Sequence, residues 1–269
     1  MTLLRRQFFR LAAGAFAAPA IARDALAGAY PSRPVRLLSG FAPAGGNDII
    51  ARLIGQWLSE RLGQTFIVET RPGAGTNIAA EAVINSPPDG HVLFVTNLSN
   101  AINATLYDKL NFNFMRDMLP VAGIAQAPAA LAINSSVPAK TVPEFIALAK
   151  ANPGRINMGS AGVGSTGHLA GELFKMMAGV NLIHVPYRGN APALTDLIAG
   201  QIEVLFPSLG SSIEYVKTGK LRALAVTGAT RSDAVPDLPT VAETLPGYQA
   251  ASFYGIGAPA MPRSRLSRF

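Results

Sequence analysis

Three glycine-bearing loops carry the residues whose types and spacing could do chemistry. The first, Phe41-Ala42-Pro43-Ala44-Gly45-Gly46-Asn47-Asp48, follows the apolar run VRLLSG and opens onto an apolar-periodic segment. A strand, a glycine turn and a helix start together present free backbone N–H groups to an anion. Gly45 and Gly46 permit close backbone approach, and Asn47 or Asp48 can cap the helix. A Walker-type phosphate site is excluded here, because no Lys-Ser/Thr pair follows the glycines.

The second loop runs Ser160-Ala161-Gly162-Val163-Gly164-Ser165-Thr166-Gly167-His168. Its Gly162, Gly164 and Gly167 spell G-x-G-x-x-G between a strand and a helix, the fingerprint of a dinucleotide site. The acidic residue expected about 20 positions later is missing. Two readings therefore stand: a nucleotide-dependent oxidoreductase, or a carboxylate seat in which the hydroxyls of Ser160, Ser165 and Thr166 flank a helix N-terminus. The third loop, Tyr187-Arg188-Gly189-Asn190, gives a turn at Gly189, a cap at Asn190 and Pro192 in the first helical turn. Arg188 either pairs with a ligand or lies on a solvated rim.

Reactive constellations are thin. Neither MGSAG nor VGSTG is a G-x-S-x-G elbow. His91, His168 and His184 have no metal-ligand spacing. His168 alone stands near a glycine loop, and core or capping roles are expected for all three. No paired-carboxylate motif is present. These are binding loops without a reactive group, so the expectation is a protein that is not an enzyme and uses no cofactor.

The elements that must position the loops alternate strand with helix. Strands are expected at 35–40, 65–70, 91–96, 121–125, 129–134, 155–160, 182–187, 203–207, 221–228 and 251–259. Ile50, Leu53, Ile54, Trp57 and Leu58 form one helical stripe, and Leu169, Leu173, Phe174 and Met177 another. Phe145, Ile146, Leu148 and Ala149 follow TVPE, which offers a Thr N-cap, an early Pro and a Glu at the third position. Such units predict α/β architecture with largely parallel sheets. Two apolar strands meet across QAP near 126–128 without an intervening helix, and a second such place is LPGYQAASFYGIGAP. Those crossings fit two domains, 30–126 with 249–269 and 127–248, with a ligand cleft between them.

The 269 residues are 49% hydrophobic and 14% charged, a globular composition. Net charge is +7, and residues 30–269 retain 19 basic and 15 acidic side chains. These are scattered singly apart from the terminal arginines, which argues against a nucleic-acid partner. MTLLRRQFFR and LAAGAFAAPAIA read as the basic and apolar parts of an export signal over 1–29. The apolar part is too short to span a bilayer. Arg5-Arg6-Gln7-Phe8-Phe9 resembles a twin-arginine signal, although Leu4 stands where a polar residue is usual. There are no cysteines, so no disulfide staples the fold.

Longer stretches, among them FAPAGGNDIIARL, INMGSAGVGSTGHLAGELF, HVPYRGNAPALTDLIAGQIEVLF and PDLPTVAETLPGY, resemble the Bug family. These are periplasmic substrate-binding proteins of tripartite tricarboxylate transporters, and the similarity runs in order over 30–259. The resemblance implies a type II periplasmic-binding-protein fold whose two α/β domains close on a small carboxylated ligand. It implies a periplasmic monomer, not itself membrane-spanning, that serves membrane permease subunits. A ligand-sensing partner of a membrane sensor kinase is the other role open to the same cleft. Carried over, Phe41, Ala42, Gly45, Gly46 and Asp48 form one jaw, and Ser160, Gly164, Ser165, Thr166 and His168 the other. Tyr187, Arg188 and Gly189 complete the cleft, with Asn97, Ser99 and Asn100 as further candidates.

Three positions depart from the family pattern. Ala44 replaces a usual Gly, and Pro207-Ser208 replaces a common Asp-Asn pair. After YGIGAPA the family continues through several helices, whereas this sequence ends MPRSRLSRF, which leads to the expectation of a C-terminally truncated chain with part of domain one uncovered.

Overall fold

The computed structural model describes residues 30–261. The export-signal reading over 1–29 and the tail 262–269 lie outside the described residues.

Val35–Ser39 (β1) leads through the first glycine loop into helix α1, Gly46–Leu62, and Phe66–Thr70 (β2) pairs parallel to β1. A left-handed turn over Ala74–Thr76 precedes α2, Asn77–Ile84. Val92–Asn97 (β3) then pairs parallel on the other side of β1 and runs directly into α3, Leu98–Leu106. A short α4, Phe114–Asp117, delivers the long β4, Met118–Pro128.

At Ala129 the chain changes sheet. Ala130–Asn134 (β5), α5 (Val142–Ala151), β6 (Asn157–Ser160), α6 (Thr166–Ala178), β7 (Ile183–Pro186), α7 (Asn190–Ala199), β8 (Val204–Leu205), α8 (Leu209–Lys217) and β9 (Leu221–Val226) build the second lobe. Ala251–Pro259 (β10) returns to the first sheet, between β3 and β4. The sheets run β2-β1-β3-β10-β4 and β7-β6-β8-β5-β9.

Both sheets are mixed, which corrects the expectation of largely parallel ones. In each, three parallel strands are extended by antiparallel neighbours, β10 and β4 in one and β5 and β9 in the other. The two crossings force this, since a strand arriving from the other lobe enters without a helical crossover. Both crossings are tied to Thr227. Its backbone N–H and C=O bond Ala129 and Ala250, and its hydroxyl lies 2.7 Å from the Ala250 carbonyl oxygen and 2.8 Å from the Ala129 amide.

Phe145, Phe174, Phe206 and Tyr248 pack together in the second lobe, where the Tyr248 hydroxyl donates to the Ala170 carbonyl. The stripe expected on α1 is rotated. Leu53 is 61% and Trp57 49% exposed, while Asn47, Asp48, Ala51 and Gly55 are buried and Ile54 and Leu58 pack on Leu37 and Phe66. A Cβ at Gly55 would lie 3.2 Å from Leu37, so glycine lets the helix sit close to β1. Trp57 instead lies under the Arg61 guanidinium on the surface. Of the α6 stripe, Phe174 is buried, Leu173 and Met177 pack on the core, and Leu169 is left largely outside it. Thr141 caps α5 as expected, its hydroxyl accepting from Glu144 N–H. Leu119 and Val121 of β4 are exposed, and exposed Met115 of α4 and Phe253 of β10 border an apolar groove of about 490 Å³.

Candidate functional site

Strands β1, β3, β6, β7 and β8 all direct their C-terminal ends to the junction of the lobes, and each is followed by a helix. Five helix starts consequently border one small cavity of about 40 Å³. It is lined by Gly45, Gly46 and Asn47 of α1, Asn97 before α3, Ser165, Thr166 and Gly167 of α6, Asn190 of α7 and Ser208 before α8. Phe41, Ala161, Phe206, Ser252 and Tyr254 complete the wall, and no lining side chain carries a formal charge. Each helix start contributes a partial positive charge and N–H groups without intrahelical partners. Among the described residues, the amides of Gly46, Asn47, Thr166 and Gly167 have no acceptor within the protein. Chemically, the cavity is a neutral cage of converging donors suited to an anion.

The lobes touch around this cavity. Ala42 N–H donates to the Arg188 carbonyl at 3.0 Å. A Cβ at Gly46 would stand 2.5 Å from the Tyr254 hydroxyl and 2.7 Å from Ser208 Oγ, and one at Gly189 would stand 2.9 Å from Ala42 Cβ. The G-x-G-x-x-G glycines are used the same way. Added Cβ atoms would meet the Tyr187 carbonyl at Gly162, Asn103 Oδ1 at Gly164 and the Phe206 carbonyl at Gly167. Close protein packing accounts for all three.

Of the residues singled out from the sequence, Phe41, Gly45, Gly46, Asn97, Ser165 and Thr166 line the cavity. Asn97 is the most pointed case. Its Oδ1 accepts Ser99 N–H as the cap of α3, while its buried Nδ2 has no partner in the protein.

The others stand behind the wall. Asp48 is not the cap of α1, which starts at Gly46 with Gly45 as an unassisted cap. Its buried carboxylate instead accepts Ala44 N–H and Arg52 Nε, both at 2.9 Å, and so shapes the loop. Ala44 adopts φ +62, a left-handed conformation costly for any residue with a Cβ. Asn190, which does line the cavity, likewise does not cap α7, where Gly189 takes that place; its amide reaches Ser208 Oγ at 3.4 Å. Asn100 accepts Asn97 N–H and donates to Thr76 Oγ1, bracing the left-handed turn, and Ser99 is buried beneath it. Ala42 and Gly189 meet at the inter-lobe contact, and Gly164 packs against Asn103 and Leu106 of α3.

Tyr187 and Arg188 line a neighbouring cavity of about 370 Å³ with Gly73, Gly75, Tyr107 and Val163. Tyr187 donates to Asp196 Oδ2 at 2.7 Å. Desolvation, reinforced by that carboxylate, pushes its pKa up to about 12. Ser160 and His168 also lie off the cavity. Ser160 Oγ is 2.6 Å from His184 Nε2, His168 Nδ1 accepts Gly164 N–H at 3.2 Å, and the two imidazoles stack with centroids 4.1 Å apart. Among the described residues no cluster of acidic and imidazole groups could hold a metal ion.

Sequence reasoning missed Asn47, Ala161, Gly167, Asn190, Phe206, Ser208, Ser252 and Tyr254 as lining residues. Ser208 follows β8, at the Pro207-Ser208 pair that departs from the family pattern. Ser252 and Tyr254 lie on β10, an antiparallel strand that no glycine loop announces.

Comparison with known proteins agrees with this architecture. Residues 50–266 match the family described as Tripartite tricarboxylate transporter family receptor, TctC. Protein BugT of Bordetella pertussis (strain Tohama I) is 32% identical over 250 residues, 91% of this chain and 77% of that protein. The structure of R. palustris Rpa4515 with adipate superposes with TM-score 0.84 at 38% identity, covering 89% of this chain and 81% of that one. MatC from Rhodopseudomonas palustris with bound malate gives 0.82 at 31% identity, covering 89% and 82%. The fold is that of two-lobed periplasmic binding proteins, and no helix among the described residues is long and apolar enough to cross a membrane. The chain belongs to the TctC receptor family of tripartite tricarboxylate transporters, the family of the Bug proteins.

Proposed function

We propose that this protein is an exported, non-catalytic carrier that captures a small carboxylate between its lobes in the periplasm and delivers it to the permease of a tripartite tricarboxylate transporter. The observation that carries the reading is the set of five helix starts around one uncharged cavity. A carboxylate there would supply the only formal charge and accept several N–H bonds, each worth roughly 1.5–3 kcal/mol when the acceptor is ionised. Gly45, Gly46 and Asn97 from one side and Ser165 and Thr166 from the other are assigned as contacts. The moving bodies are 30–126 with 249–269, and 127–248, hinged at the Thr227 crossings, and the protein acts as a monomer. Ligand favours the closed form in proportion to its differential affinity for it.

Adipate and malate, the acids named for two relatives, head the candidates. Titration calorimetry with these, other di- and tricarboxylates, amino acids and aromatic acids tests the reading. Binding in the wild type and its loss in Gly46→Val, whose side chain would overlap Tyr254 and Ser208, is expected. Wild-type binding unchanged in that variant would refute the site, and measurable turnover of any acid would refute the carrier role.

A further inference from the structure

The stacked histidines are not used by the capture reading, yet they grip both ends of one jaw. His184, on β7, holds Ser160 Oγ through Nε2 at 2.6 Å, and the same Oγ accepts Gly162 N–H at 3.1 Å. His168, in the first turn of α6, accepts Gly164 N–H at Nδ1. The loop between them contains two residues with positive φ, Gly162 at +129 and Gly164 at +78, and therefore needs such fixing. It matters beyond its own lobe, because its Gly164 tip packs against Asn103 and Leu106 of α3 and its Ser165 end lines the cavity.

The hydrogen bond to Gly164 determines the protonation state. An imidazole that accepts at Nδ1 must be neutral, with its proton on Nε2. Nε2 of His168 stands 3.8 Å from Glu172 Oε1, whose carboxylate is already engaged by Lys175 Nζ at 2.8 Å. Glu172 and Lys175 are the charged groups acting on the pair, and each histidine faces the other ring. Burial outweighs the Glu172 carboxylate and holds His168 below its usual range. Burial and then the neighbouring imidazole bring His184 down to about 4.

We infer that His168 and His184 are positioning residues of the ligand clamp: as a neutral stack they hold the 160–165 loop in its binding shape, and protonating His168 removes the acceptor that fixes Gly164 and weakens ligand capture. This rests on the carboxylate-capture reading given above. An imidazolium at His168 would turn an N–H toward the Gly164 N–H and place positive charge against the second ring. If the open form titrates near the ordinary histidine value of about 6.5 and the closed form resists protonation, affinity at pH 5.5 falls roughly tenfold.

Two measurements test this on the wild type, His168→Asn, whose Oδ1 can stand in for Nδ1 without titrating, and His168→Leu, which has no acceptor. Thermal unfolding at pH 7.5 checks that each is folded, and His184→Gln serves as a second variant that keeps an amide for Ser160. The first measurement is hydrogen–deuterium exchange of the peptide carrying Gly164, corrected for intrinsic rates, at pH 7.5 and 5.5. Protection is expected to fall with pH in the wild type, to persist in His168→Asn and to be absent throughout in His168→Leu. The second is calorimetry with adipate and malate at the same two pH values. The wild type should lose about tenfold more affinity than His168→Asn, a ratio from which the acid's own titration cancels. Parallel losses in wild type and His168→Asn, or pH-independent protection in the wild type, overturn the inference. If neither acid binds at pH 7.5 while exchange behaves as expected, the histidine assignment is supported and the capture reading for these acids fails.

Discussion

The amide of Ala42 donates to the carbonyl of Arg188 at 3.0 Å, so the first glycine loop of one lobe is hydrogen-bonded directly to the third glycine loop of the other. Gly189, at φ +150, lies against that bond, where a Cβ would come 2.9 Å from Ala42 Cβ and 3.0 Å from its nitrogen. Gly189→Ala should hold the lobes apart. A tenfold or greater loss of affinity is expected, and small-angle scattering should show no ligand-induced contraction. A variant that still contracts on ligand addition would show that the latch is dispensable.

Asn97→Asp separates the capping role from the binding role. Aspartate caps a helix as well as asparagine does, so α3 should keep its start. The buried donor Nδ2, however, is replaced by an acceptor facing the cavity. Calorimetry should find at least a tenfold loss for carboxylates, with little change in circular dichroism. Undiminished affinity would remove Asn97 from the contacts.

Much of this site was legible in the sequence because glycine loops between strand and helix patterns have a physical signature. Gly45, Gly46, Ser165 and Thr166 were found that way, and each lines the cavity. What was not legible came from elements that cross over. Tyr254 and Ser252 reach the cavity on β10, whose place between β3 and β4 depends on pairing over more than 100 residues and not on any local pattern. The α1 stripe was legible only in part: Ile54 and Leu58 pack on the core, but Leu53 and Trp57 are exposed and the fully buried positions are Asn47, Asp48, Ala51 and Gly55, small or polar residues with local reasons to be inside. His168 was read from its own context as a core or capping residue and from the family resemblance as part of a jaw; in the structure its Nδ1 accepts Gly164 N–H of the loop.

Thr227 ties together the two segments that connect the lobes, and it is fully buried. Thr227→Val keeps the shape and leaves polar groups of Ala129 and Ala250 short of a partner. Such a loss costs about 1–3 kcal/mol. Denaturant unfolding should register a drop in that range. A change below a few tenths would mean that the crossings do not depend on this hydroxyl.

Ala44 offers a gain in the opposite direction. Its φ of +62 costs an L-residue roughly 1–2 kcal/mol, partly offset by the greater freedom that glycine would have in the unfolded chain. Ala44→Gly should therefore raise unfolding free energy by about 0.5 kcal/mol or slightly more. Destabilisation would mean that the left-handed geometry is not retained.

Acid should weaken the fold through His184. Its folded-state pKa lies near 4, below the ordinary value of about 6.5, chiefly because burial disfavours the cation. Between those two values the unfolded chain binds the extra proton and the folded one does not, so stability falls as pH drops from about 7 toward 4. His184→Gln should flatten part of that slope in unfolding experiments run across the window. Identical slopes in wild type and variant would contradict the assignment.

The absence of any charged side chain from the cavity wall bears on release as much as on capture. A carrier that held its anion with a buried arginine would, on letting go, be left with an uncompensated cation in a cleft shielded from water, and departure would be slow. Backbone dipoles leave no such debt. Their partial charges are fixed by the helices whether or not an anion is present, and water can satisfy the same N–H groups once the lobes part. Loading and unloading can thus be nearly symmetric events, as the proposed carrier role would require.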